Sequence, residues 1–460
     1  MPFSLSILWS GSDKHFSNFL WGFSFVLISH YWLLYLHPLT WLGFSWLSSI
    51  LIANMIWLFC SLLGGAFVIL WGLIKNKIIK IEYIFSKKIT DVFIRIVLVS
   101  LVWSFGELIL SKTSFLWIGL GESLIPGDLY LAGLGKWIGS SGVCFLELLF
   151  GFWIFFIFER WKRNLNFRLV FFIGMVSIFC LHLIGGYLIQ PSLRNSGYPI
   201  AIWQTNIPTR EKLLLNNQKT TDQILFEQEK ALSKNAELLV APEGTLRSDF
   251  VFQKPSKINT LIGGFRTEKN YLRNSLLAFK KGDRSYSHFI DKYRLVLLGE
   301  RIPKMFEMFF LNLSSLGGIH SGNNERYFEW ENTPPLAAVI CYEISDGLQI
   351  RKAVSNGSKF ILSIANLDPY PPKIFNQYLS LIRMRSIENN IDTVFVSNTG
   401  PSGLIKSDGR VGEIFESKIE KNEVVYPNLL DKKTFYNDYG IKPLVIVFAF
   451  CLIYIFILRN

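Results

Sequence analysis

The sequence predicts an α-helical membrane bundle joined to an α/β layered domain, on three observations. Half of the 460 residues are hydrophobic and 15% are aromatic, and the mean hydropathy is +0.31, values of a membrane protein rather than a soluble one. The apolar runs crowd into residues 1–190 and return at 441–458, whereas residues 199–437 have globular patterning. Within that middle part, short β-branched runs alternate with helical periodicity, the mark of a layered α/β fold.

Six stretches have the length and apolarity of membrane helices, each needing about 20 residues to cross the hydrocarbon core. They are Asn18–Leu36, Leu47–Leu73, Val92–Leu110, Val143–Phe158, Leu169–Ile189 and Ile441–Leu458. No cleavable signal peptide precedes them, because the first span follows Lys14-His15 without a small-residue cleavage site. The chain thus divides into about five N-terminal spans (1–190), a globular domain (199–437) and a C-terminal span (438–460).

Charge in the loops orients these spans. The 74–91 loop carries Lys75, Lys77, Lys80, Lys87 and Lys88, and the 159–168 loop carries Arg160, Lys162, Arg163 and Arg168. Both belong on the cytoplasmic side, which puts the 199–437 domain outside. The net charge of +12 fits this topology signal rather than nucleic-acid binding, since the basic residues sit between hydrophobic spans. The Trp- and Gly-rich segments Phe115–Gly121 and Leu131–Gly135 are expected to lie in the outer interface, where they could line an acyl-chain entry.

Strands are expected at Pro199–Gln204, Leu238–Ala241, Asn259–Gly263, Ser275–Phe279, Arg294–Leu298, Lys359–Ile364 and Thr393–Val396, and helices at Arg210–Asn235 and Lys373–Asn390. A hairpin from Gly403–Lys406 to Glu413–Phe415 turns through Ser407-Asp408-Gly409-Arg410.

Four of the five cysteines lie in apolar spans, which leaves Cys341 alone in the globular part, without an internal disulfide partner. It ends the buried run Leu336-Ala-Ala-Val-Ile340. A lone Cys there is more often a core residue than a nucleophile, so its company decides. Glu243 follows Leu-Leu-Val-Ala-Pro, and Lys292 precedes Tyr-Arg-Leu-Val-Leu-Leu. These three residue types supply acyl transfer: Glu243 as a base raised by desolvation, Lys292 as the cation facing the oxyanion, and Cys341 as the nucleophile.

At this point a family resemblance appears. Pro242-Glu243, Asp291-Lys292 leading to Gly299-Glu300-Arg-Ile-Pro303, and Val-Ile-Cys341-Tyr-Glu343 resemble the Glu-Lys-Cys signature of the nitrilase (carbon–nitrogen hydrolase) superfamily. Membrane spans on both sides make the chain similar to the superfamily's membrane-fused branch, the apolipoprotein N-acyltransferases. Gln204-Thr-Asn206-Ile-Pro208, Arg383-Met-Arg385-Ser-Ile-Glu388, Ser397-Asn398-Thr-Gly400, Phe19-Leu-Trp-Gly-Phe-Ser-Phe25 and Trp103–Glu107 match as well.

The resemblance implies an α-β-β-α sandwich on the outer side of a bacterial inner membrane. It implies acyl transfer from a phospholipid, such as phosphatidylethanolamine, through a Cys341 thioester to the α-amino group of a diacylglyceryl-cysteine lipoprotein. Glu300 and Glu343 match supporting positions.

The chain departs from the family in three places. Two further membrane helices usually precede the Phe19–Phe25 segment. Leu297-Leu298-Gly299-Glu300 replaces Pro-Phe-Gly-Glu, and Asn366-Leu367-Asp368-Pro369-Tyr370-Pro371 replaces the Asn-Asp-Ala-Trp-Phe-Gly loop.

Two other functions use the same features: a membrane-bound amidase or nitrilase with water as acceptor, and a non-catalytic receptor with an inactive nitrilase-like domain. Retention of all three residue types disfavours the receptor, and the membrane spans disfavour a soluble amide substrate. The six His, at 15, 30, 37, 182, 288 and 320, lack metal-ligand spacing, and no Gly-rich phosphate loop occurs. Neither metal nor cofactor is expected.

Overall fold

The structure is a computed structural model that describes residues 2–10, 15–40, 44–86, 88–113, 118–190, 197–208, 217–296, 300, 318–368, 370–429 and 432–457. Four helices among these residues are long and apolar enough to cross a membrane: Trp46–Ile78, Ile89–Ser111, Gly135–Lys162 and Arg168–Leu188. Helix Lys442–Ile457 is apolar but has 16 residues, about 24 Å at 1.5 Å per residue.

The span expected over Asn18–Leu36 is instead a helix, His15–Ser29, followed by a 3-10 turn, Tyr31–Leu36. The break has a local cause. Lys373 Nζ donates to Ile28 O at 2.8 Å, and Gln377 Nε2 donates to Ser29 O at 2.9 Å. These globular-domain side chains thus serve carbonyls that a helix end leaves orphaned.

Twelve strands form the globular part among the described residues: β1 Ile200–Gln204, β2 Leu238–Leu246, β3 Asn259–Glu268, β4 Tyr271–Phe279, β5 His288–Asp291, β6 Tyr327–Phe328, β7 Leu336–Ile340, β8 Phe360–Ala365, β9 Thr393–Ser397, β10 Gly403–Ile405, β11 Val411–Ile414 and β12 Lys421–Val425. They make two six-stranded sheets, ordered β12-β1-β2-β3-β4-β5 and β11-β10-β9-β8-β7-β6. The central pairs β1–β2–β3 and β7–β8–β9 are parallel and the outer pairs antiparallel.

Alternate residues of both sheets meet in one buried layer, with Ile202, Val240, Leu261 and Leu276 facing Leu336, Ala338, Leu362 and Val394. The opposite face of the second sheet packs on helices Gly347–Ser355 and Pro372–Asn389. That of the first packs on helix Asn217–Ser233. The result is the α-β-β-α sandwich, since a sheet apolar on both faces must be covered on both.

Three expected elements differ. Strand β2 continues through Glu243 to Leu246 with an irregular register after Ala241, so Glu243 lies within a strand rather than beyond its end. Lys292 directly follows a strand, β5, and the described residues 293–296 after it are not in a strand. The pairing of Asp291 with Ser275 and the 2.8 Å bond from Lys292 N to Asn274 O carry the sheet up to this lysine. Of the expected strand Arg294–Leu298, residues 297 and 298 lie outside the described residues. Arg294 is diverted into contacts with Asp346 and Ser345.

The Leu131–Gly135 stretch is packed rather than spread along an interface. Leu131, Ala132 and Gly133 are buried, and a Cβ at Gly133 would lie 2.4 Å from Gly185 O of helix Arg168–Leu188. Of Phe115–Gly121, residues 115–117 lie outside the described residues.

A polar seam joins the bundle to the sandwich. Helix Gly135–Lys162 is kinked at Gly139, at φ 65° and ψ 177°, and the next amide, Ser140 N, donates to Glu388 Oε1 at 2.5 Å. Arg385 Nη2 lies 2.6 Å from Glu122 Oε1, and Lys136 Nζ donates to Asn390 Oδ1 at 2.7 Å. The Arg383–Glu388 motif therefore fixes the sandwich to the membrane part.

Candidate active site

The two parallel sheet centres end at one point, and Glu243, Lys292 and Cys341 meet there. β7 delivers Cys341, whose φ of 56° puts a non-glycine residue in the left-handed region. Such geometry costs about 1–3 kcal/mol and persists where surrounding contacts enforce it. The chain turns at once into the 3-10 segment Cys341–Ser345, leaving the thiol half-buried at the strand tip.

Glu343 enforces this turn. Its Oε2 accepts from Ile340 N at 2.8 Å and from Arg326 Nη1 at 2.8 Å, and its Oε1 accepts from Tyr293 N at 2.6 Å. Arg326 Nη2 in turn donates to Asp291 O at 2.9 Å. One buried carboxylate thus ties the cysteine turn to the segment carrying Lys292. Burial pushes Glu343 up from the ordinary carboxylate range, against the pull of Arg326 and the amides.

Lys292, 1% exposed, lies between two carboxylates, with Nζ 2.7 Å from Glu243 Oε1 and 2.8 Å from Glu300 Oε2. Asn274 Nδ2 donates to both acids, at 2.7 Å to Glu243 Oε1 and 2.6 Å to Glu300 Oε1. Asn366 N donates to Glu243 Oε2 at 2.8 Å. Gly263 lets β3 pass this close: a Cβ there would lie 2.5 Å from Glu243 Cα.

The protonation pattern corrects one expectation. Burial alone would raise Glu243, but the Lys292 ammonium and the donors on its oxygens hold it below the ordinary carboxylate value. Lys292 is itself held well above the usual lysine value, because Glu243 and Glu300 outweigh its desolvation. The Cys341 thiol is pushed up by burial first and then by the Glu243 charge, with Lys292 opposing. At rest the site is therefore a thiol facing a carboxylate and an ammonium.

The structure brings together all five residues singled out from the sequence. It adds Asn274, Arg326 and the amide of Asn366, which sequence reading missed. Asn274 stands between Arg273 and Ser275, ahead of the apolar run Leu276–Phe279, and its type and spacing carried no signal. Arg326, in the Asn323–Tyr327 stretch, had no pattern to mark it. The Gln204–Pro208 motif reaches the site indirectly. Asn398 Oδ1 accepts from Ile207 N at 3.0 Å, and Asn398 Nδ2 donates to Asn366 Oδ1 at 3.0 Å. No group of three or more His, Cys, Asp or Glu suited to a metal occurs among the described residues.

No protein-family model matches the chain. Among solved structures, it is similar to an amidase of the nitrilase superfamily from Nesterenkonia, with TM-score 0.40 and 15% identity over 55% of this chain and 98% of that one. A protein named apolipoprotein N-acyltransferase from Prochlorococcus marinus subsp. pastoris is 52% identical over 450 residues, 98% of this chain and 90% of that one. Another of that name, from a second Prochlorococcus marinus strain, is 41% identical over 443 residues, 96% of this chain and 89% of that one. Similarity of this depth across both the membrane helices and the sandwich means that the chain belongs to the apolipoprotein N-acyltransferase family.

Proposed function

We propose that the protein transfers an acyl chain from a phospholipid, through a thioester on Cys341, to the α-amino group of the N-terminal diacylglyceryl-cysteine of lipoproteins. The observation that carries this reading is the buried Glu243–Lys292 pair, 2.7 Å apart, beside the only cysteine of the globular domain. The names of the relatives supply the lipoprotein acceptor. Phosphatidylethanolamine is the proposed donor.

In the first half-reaction Glu243 takes the thiol proton as Sγ attacks the ester carbonyl, and negative charge grows on the carbonyl oxygen. The Lys292 ammonium faces that charge; losing one such stabilising group typically costs about 3 kcal/mol of barrier. The C–O bond breaks, and the departing lysophospholipid oxygen takes the proton from Glu243. In the second half-reaction the neutral amine attacks the thioester and gives its proton to Glu243. The C–S bond then breaks, the proton returns to sulfur, and the amide leaves. This is ping-pong covalent catalysis. A depressed Glu243 is a weak base, so proton transfer must accompany attack rather than precede it.

The basic residues at the C-terminal ends of helices Trp46–Ile78 and Gly135–Lys162 and just after them, Lys77, Lys80, Lys88, Arg160, Lys162, Arg163 and Arg168, support a cytoplasmic placement of those helix ends, with the sandwich on the outer face of a bacterial inner membrane.

Incubating the full chain in detergent with acyl-labelled phospholipid tests the reading. Hydroxylamine-labile label on the wild type, absent from Cys341→Ala and moved to an added diacylated peptide, is the expected result. Ammonia release from small amides without such label would replace it with the amidase reading.

A further inference from the structure

The described residues include a buried hydrogen-bond donor in the membrane part that has no acceptor. Trp32, in the 3-10 turn after helix His15–Ser29, is 1% exposed, and its Nε1 has no hydrogen-bond partner. Buried donors are rarely left unpaired, because an unmet N–H costs about 1–3 kcal/mol. Such an orphan points to a ligand group that it receives.

Its surroundings indicate which ligand. The Trp32 ring meets Tyr370 edge to face, with centroids 5.3 Å apart at 85°. Tyr370 belongs to the loop that begins at Asn366, whose amide holds Glu243. Burial, and then the Cys341 charge, raise its phenol above the ordinary value. Tyr370 and Ile374 also pack into an apolar cluster with Val26, Leu33 and Cys60 of the membrane part. Ile374 and Cys341 share a second cluster with Leu367 and Phe375. Apolar surface therefore continues from the thiol, past Tyr370 and Ile374, into the helix bundle, with one unmet N–H along it.

A long hydrocarbon chain ending in an ester carbonyl matches this arrangement: the cluster takes the chain and the indole N–H takes a carbonyl oxygen. Resting on the acyl-transfer reading above, we propose that Trp32 is a specificity-determining residue whose indole N–H receives the carbonyl of the donor lipid's second, non-transferred glycerol ester. The Tyr370 ring packs edge to face beside it.

The test uses the full chain in detergent and two donors: a diester phospholipid and an analogue whose non-transferred chain is an alkyl ether, lacking that carbonyl. Thioester formation on Cys341 is followed with each, and with a water-soluble p-nitrophenyl ester. The wild type should favour the diester about five- to tenfold, the worth of one neutral hydrogen bond. Trp32→Phe should bring that ratio to about one, with the p-nitrophenyl ester reporting any general change in Cys341 reactivity. Tyr370→Phe, which keeps the ring, should retain the preference.

A Trp32→Phe variant that keeps the wild-type ratio, or that slows all three donors equally, overturns the proposal, as does a wild type indifferent to the ether. A wild type that forms no thioester with any phospholipid would instead sink the acyl-transfer reading itself.

Discussion

Lys292 Nζ lies 2.7 Å from Glu243 Oε1, with both side chains almost wholly out of solvent, beside a thiol that both charges influence. The pair makes the reactivity of Cys341 depend on charge balance as much as on burial. Glu243 raises the thiol's pKa and Lys292 lowers it.

Glu243→Gln should therefore separate thiol reactivity from catalysis. Without the carboxylate charge the Cys341 pKa falls, more thiolate is present at pH 8, and alkylation by iodoacetamide speeds up. Acyl transfer, deprived of its base, should slow by about 10²–10⁴. Alkylation at or below the wild-type rate would mean that Glu243 does not govern the thiol.

The pH dependence of stability has a definite sign at each end. Glu243 is depressed in the folded state, so its contribution is present above the unfolded value of about 4.3. That contribution disappears as pH falls through the lower folded value. Lys292 is raised, so its contribution is present below about 10.4 and disappears as pH rises through the higher folded value. Thermal melts of the wild type should be flattest between these limits. Glu243→Gln should lose its own part of the acid decline, and an acid limb identical to the wild type would contradict the assignment.

Glu343→Ala should cost about 3–5 kcal/mol, because Arg326 would be left as a buried charge without its partner. Denaturant unfolding of the full chain measures this. Replacing both together, Glu343→Gln with Arg326→Met, should recover part of the stability, since no lone charge then remains. The amide ties to Ile340 and Tyr293 would be weakened, so thioester formation should stay slow. Full recovery of the rate would show that Glu343 does not position the cysteine turn.

Gly139→Ala tests the seam between bundle and sandwich. The residue needs φ 65°, and a Cβ would lie 2.4 Å from the Tyr436 ring. Destabilisation of about 2 kcal/mol or more is expected from the strained backbone and the displaced ring. It should appear as a lower Tm of the full chain together with slower acylation of Cys341. An unchanged Tm would mean that the kink is not needed for docking.

The sequence alone determined the division into membrane helices and an α/β domain, because burial in lipid or in a parallel sheet needs long or short apolar runs that composition displays directly. It also determined Glu243, Lys292 and Cys341 as candidates, since each is a polar residue interrupting or bordering an apolar run where a core residue would be expected.

Only the tertiary structure decided how those residues titrate. Burial pushes Glu243 upward, and the reversal comes from Lys292, Asn274 and the Asn366 amide, which lie 31–123 residues away along the chain. It also placed Lys292 after a strand, through the pairing of β5 with β4, and ended the first long helix at Ser29, where Gln377 takes the terminal carbonyl. Hydropathy records which residues leave water. It does not record which donors meet them there, and those donors set the charge on the groups of the site.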